Sequence, residues 1–171
     1  MEKKNNKKIY FYKFNTFVFF ISLFYKTVGY QIKFFRFGNL SDKSLIKRVL
    51  INYFNIFEVD YQKYNLDNID EFMKIGNYCI DNYFDTEGIK DTNNKISKIF
   101  FDNQNSTTVL LKKLFSLEYG EFFKTLHLVI ENEKNGNSAS LYCFEDDFIN
   151  HVQKLYSNFN FKKSYFKSNV L

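Results

Sequence analysis

Residues 122–144 read FFKTLHLVIENE-KNGN-SASLYCF, and the way this stretch is read decides the fold. Two apolar runs flank Asn135 and Gly136. A type I′ turn needs positive φ at both central residues, and Asn-Gly tolerates that best. Residues 122–133 and 138–144 therefore predict a β-hairpin. In that reading His127, between Leu126 and Leu128, lies on the less buried side of a strand.

Downstream, Glu145, Asp146 and Asp147 predict a helix start, because negative charge suits the positive end of the helix dipole. Phe148, Ile149, Val152, Leu155 and Tyr156 then supply a helical stripe, and Phe159, Phe161 and Tyr165 alternate in a final strand. Upstream, Ser106 to about Leu117 predicts a helix that Gly120 stops. Residues 96–101 predict a short strand, and the polar stretch 85–94, with Gly88, a loop. A helix from Asn68 carries Glu71 at capping-box spacing and buries Ile69, Phe72, Met73, Ile80 and Tyr83. Another starts at Ser41 and runs through Phe57. Residues 8–14 and 30–37 predict strands. The run 17–25 fits a buried strand or a short buried helix, which periodicity does not separate. With its clustered early strands and late hairpin, this order predicts an α+β fold: a mostly antiparallel sheet with about four helices packed against it. A single domain spans 8–166, between a short basic N-terminal tail (1–7) and a C-terminal tail (167–171).

The composition suits a folded body. At 171 residues the chain is 45% hydrophobic and 25% charged, which argues against wholesale disorder. Phe (23) and Tyr (13) dominate while Pro and Trp are absent, the bias expected of an AT-rich gene. The two cysteines, Cys79 and Cys143, form no C-x-x-C pair and read as buried free thiols in a reducing compartment.

Charge is laid out unevenly. Residues 1–48 hold 11 Lys or Arg against 2 acids, residues 49–105 hold 5 against 10, and residues 106–171 hold 8 against 7. A basic pole raises encounter rates with phosphate backbones and acidic proteins alike. Its candidate partner-binding or nucleic-acid-binding residues are Lys8, Tyr10, Tyr12, Lys13, Lys33, Phe35, Arg36, Lys43, Lys47 and Arg48. Aromatic rings beside cations are what base stacking and phosphate neutralisation require.

Catalytic signatures are scarce. The six glycines are scattered, with neither a G-x-G-x-x-G nor a Walker-type loop. His151 stands four residues after Asp147, a spacing that lets a carboxylate orient an imidazole, yet no further ligand motif accompanies the pair. No cofactor and no metal are expected. The expected function is a small, cytoplasmic, non-enzymatic binding or inhibitor protein. It acts by surface complementarity on a protein or nucleoprotein partner, in the setting of a phage or mobile element directed at host nucleic-acid machinery. The alternatives are a single-stranded RNA or DNA binder using residues 1–48, a small nuclease-like enzyme using His127 or His151, and a secreted protein of an AT-rich parasite.

Overall fold

The computed structural model describes residues 7–13, 15–34, 58–59, 69–100, 104–136 and 138–167. The elements in chain order are β1 (Lys8–Phe11), α1 (Thr16–Thr27), β2 (Gln31–Phe34), β3 (Glu58–Val59), α2 (Ile69–Phe84) and α3 (Glu87–Phe100). Then come α4 (Gln104–Glu118), α5 (Gly120–Lys134), β4 (Ala139–Glu145), α6 (Asp147–Leu155) and β5 (Asn160–Lys167). The helix expected from Ser41, together with Phe35, Arg36, Lys43, Lys47 and Arg48, lies outside the described residues.

The strands form one sheet in the order β3-β2-β1-β4-β5, and every pairing is parallel. Lys8 is in register with Gln31 on one side and Ala139 on the other, and Ser140 with Asn160. The mostly antiparallel α+β sheet is therefore corrected to a parallel α/β sheet. The order reverses direction between β1 and β4, as in doubly wound folds.

The correction traces to residues 120–134, which form a helix. Phe122, Phe123, Thr125, Leu126, His127, Leu128, Val129, Ile130 and Asn132 are all buried. A helix buried over most of its circumference keeps only a narrow polar stripe, here Glu121, Lys124, Glu131 and Lys134, too sparse to mark its period. Asn135 and Gly136 end this helix rather than turn a hairpin. Only Gly136 has positive φ (+72°), Asn135 stays at −81°, and the Gly136 N–H donates to the Glu133 carbonyl at 3.0 Å. One left-handed residue after a helix is a C-terminal stop, and Gly serves it best.

Of the two readings open for residues 17–25 the structure has the helix, and one further segment changes class. Residues 16–27 form a helix, whose N-terminus is capped by the Asn15 side chain accepting from the Val18 N–H at 2.8 Å. Ser22, buried among the apolar residues, satisfies its hydroxyl on the Phe19 carbonyl. Gly29 (φ +91°) then turns the chain into β2. Parallel neighbours need such a crossover. Residues 87–100, which span most of the expected loop 85–94 and strand 96–101, are one helix, α3, because a polar surface helix resembles a loop in composition. The helix starts at α2, near Asn68, at α4, near Ser106, and at α6 fall close to where the sequence places them. Asp146 caps α6, accepting from the Phe148 and Ile149 N–H groups at 2.9 and 3.2 Å.

Period-2 alternation on β1 assigns the faces. Phe11 meets Tyr25 of α1, with ring centroids 6.5 Å apart, while Tyr10 and Tyr12 meet Asn132 and Phe122 of α5. So α1 covers one face and α5 the other, joined there by α6 against β4. Outside α5 and α6 lies α2. Rings from four helices interlock there: Phe84 with Phe115 at 5.1 Å, Tyr83 with Phe148 at 5.1 Å, and Phe123 with Phe148 at 5.9 Å. Each such pair adds roughly 0.5–1.5 kcal/mol beyond its burial. Cys79 and Cys143 are buried and free. No described helix is long and apolar enough to cross a membrane.

Candidate metal centre

The most concentrated chemistry lies where α2 passes α5. Gly76 makes that passage close. A Cβ there would stand 2.9 Å from the Phe123 ring, so only glycine lets the helices approach this near. Glu71 faces His127 one and a half turns before that contact, so the two helices run antiparallel.

His127 Nε2 lies 3.1 Å from Glu71 Oε2 and 3.8 Å from Glu131 Oε1. His127 and Glu131 are four residues apart on one helix and therefore share a face. The three donor atoms all lie within 4.8 Å of one another. Donors about 2.0–2.2 Å from a tetrahedral zinc ion stand about 3.3–3.6 Å apart. The two measured separations bracket that range, and carboxylate rotation can close the difference. The His127 side chain is 6% exposed while those of Glu71 and Glu131 are 61% and 35% exposed, so a fixed imidazole backs two adjustable carboxylates. They open on a cleft of about 470 Å³ that Lys74, Lys134, Ile75 and Ile130 also line. Without an ion, the same geometry is a hydrogen bond between His127 and Glu71.

Of the residues the sequence nominated for binding, five are described. The Lys8 ammonium donates to Asn132 Oδ1 at 3.0 Å, and the same Asn132 donates to the Tyr10 hydroxyl at 2.9 Å. Tyr10 and Tyr12 are only 1% and 2% exposed, so their rings present no face on which a base could stack. Burial also holds the Tyr12 phenol well above its ordinary pKa. Lys13 sits 5.8 Å from the Tyr12 ring centroid, and Lys33 is half-buried on β2.

The other chemical candidates are occupied by packing. Burial pushes the Cys79 and Cys143 thiols up to about 12, which keeps them protonated and poorly nucleophilic at neutral pH. His151 Nε2 is buried without a hydrogen-bond partner and the ring abuts Tyr83 at 5.5 Å; burial, then Lys154, lowers its pKa. No hydrogen bond joins His151 to Asp147 among the described residues. Asp146 caps α6 and also accepts from the Tyr119 hydroxyl at 3.0 Å.

Sequence reasoning misses Glu71 and Glu131 as partners of His127. On a strand, His127 and Glu131 are merely two same-face residues some distance apart. On a helix, the same H-x-x-x-E spacing makes them neighbours, so the signal was present and the wrong element concealed it. No protein family, no curated protein and no solved structure matches this chain.

Proposed function

We propose that this protein binds a divalent transition-metal ion between α2 and α5, through His127 Nε2 and one oxygen each of Glu71 and Glu131. One observation carries this reading: three donor atoms from two helices converge within 4.8 Å at the mouth of an open cleft. One imidazole with two carboxylates is a ligand set for zinc, manganese, cobalt or iron(II) rather than for copper(I). Three protein ligands leave a position for water or an exogenous ligand, the arrangement of sites that do Lewis-acid chemistry. The test is a Zn²⁺ titration of the full chain by calorimetry. Wild type is expected to take up about one equivalent, with His127→Ala and Glu71→Gln each weakening binding about 10-fold or more. Uptake that neither substitution alters contradicts the site.

A second reading retains docking on a protein partner, supported by an apolar stripe on α4. Leu110, Leu114 and Leu117 recur at helical spacing and are 48%, 51% and 74% exposed. Contiguous exposed apolar surface marks interaction sites. Leu110→Ser with Leu117→Ser should preserve the melting temperature and abolish any stable complex the wild type forms in cross-linking. Equal complex formation by both proteins contradicts a docking role for α4. The inhibitor role against host nucleic-acid machinery stays a proposal supported by charge layout and composition alone.

A further inference from the structure

We infer that the α2–α5 cleft, once loaded with its metal ion, takes a phosphate-type oxyanion, held between the metal and the ammonium groups of Lys74 and Lys134. This rests on the metal reading and names the ligand that completes it.

Both helices carry the same motif. Glu71 is followed three residues on by Lys74, and Glu131 three residues on by Lys134. Residues three apart share a helix face, and all four line the one cleft. Because α2 and α5 run antiparallel, the lysines flank the donor cluster from opposite ends. The ordinary role of such spacing is a salt bridge within each helix. Among the described residues neither pair makes one: the ion pairs of Glu71 and Glu131 are both to His127.

Charge then favours an anion only after metal loading. The two carboxylates and the two ammonium groups that line the cleft cancel in formal charge. A divalent ion leaves the cleft with an excess of two positive charges, matched to a phosphate dianion. Lysine suits that role as a point charge on a flexible stem. The cleft, at about 470 Å³, exceeds what an ion and one water require and falls within the roughly 300–1,000 Å³ typical of small-molecule sites. The metal and the anion must therefore assist each other reciprocally.

The experiment uses the full chain with Co²⁺ as metal and inorganic phosphate as anion. Cobalt absorption reads coordination and calorimetry reads affinity, each with and without the other ligand. Phosphate is expected to bind at least about tenfold more tightly to the loaded protein, within the usual range of coupling, and to change the cobalt spectrum. Lys74→Ala with Lys134→Ala should remove most phosphate affinity without weakening Co²⁺ binding in phosphate-free buffer, where losing two neighbouring positive charges favours a cation. Cobalt binding without any phosphate effect overturns the anion site alone. Equal phosphate affinity with and without cobalt, or in the double variant, overturns it too. Absence of cobalt binding overturns the metal reading and this inference together.

Discussion

The two ends of the sheet are furnished in opposite ways. At the carboxyl end, beside the switch point between β1 and β4, Tyr12 packs on Phe122 and Phe144, and Tyr119 lies 4.5 Å from Phe148. The partly buried Asp146 there is engaged by a helix N-terminus and a phenol. Toward the amino end, α5 descends to the start of β4, where Glu133 accepts from the Ala139 N–H and Lys8 reaches Asn132. On its outer side that stretch of α5 presents His127, Glu131 and Lys134 to a cleft. Open parallel sheets commonly house ligands at the carboxyl end of a switch point. Here aromatic packing occupies the described part of that crevice, and the accessible donors sit in the helical layer. Strand order alone therefore does not locate a site; side chains do.

If the carboxyl end is packed and the cleft is open, substitutions should separate by magnitude. Phe148→Ala removes a ring shared by α2, α4 and α5 and should cost about 3–5 kcal/mol in denaturant unfolding, with metal affinity retained wherever the chain stays folded. Gly76→Ala forces the Phe123 ring to move and should cost about 1–3 kcal/mol. Unlike Phe148→Ala, it should also weaken metal binding, because it separates Glu71 from His127. Unchanged affinity in Gly76→Ala would show that helix approach does not set the donor spacing.

Asp146→Ala removes a cap and should cost about 1 kcal/mol from that alone, and more because the Tyr119 hydroxyl loses its acceptor. At the small end, Glu131→Gln changes a solvent-accessible residue and should move stability by less than about 0.5 kcal/mol while lowering metal affinity. A large stability loss in Glu131→Gln would make the cluster a packing feature.

Alkaline pH probes the packed region as a whole. Burial raises the Cys79 and Cys143 thiols and the Tyr156 phenol to about 12. These groups keep their protons longer folded than unfolded, so their stabilisation is complete below about pH 9 and is lost as pH rises toward 12. Lys124 acts oppositely. Burial, partly offset by Glu121, lowers it to about 8, so between pH 8 and its ordinary value of 10.5 it favours the folded state progressively. The urea midpoint should hold through pH 8 and fall beyond pH 9, as the several acids outweigh one partly exposed amine. A midpoint unchanged up to pH 11 contradicts the burial of those thiols.

Element boundaries were legible where local chemistry is unambiguous. The helix start at Glu145–Asp147, the stripe of Phe148, Ile149 and Val152, and a strand within residues 8–14 all follow from local composition and spacing. Topology was not legible, because it turned on α5. Its faces meet β1, α2 and α6 at once, so apolar residues recur without a period, and Asn135-Gly136 serves a helix end as readily as a hairpin. The error carried over to the site. Placing His127 on a strand hid Glu131, and Glu71 lies 56 residues away, joined to it only by tertiary packing. Tyr10 and Tyr12 failed as stacking candidates for a related reason: a central strand of a parallel sheet is covered on both faces, so alternation there no longer separates inside from outside.

X-ray absorption at the zinc edge, on the loaded full chain and on His127→Ala, examines the metal centre most directly. A first shell of one imidazole nitrogen with carboxylate and water oxygens at about 2.0–2.2 Å is expected, with the imidazole contribution missing from the variant. A shell containing sulfur, or two or more imidazoles, or one identical in both proteins, would contradict it.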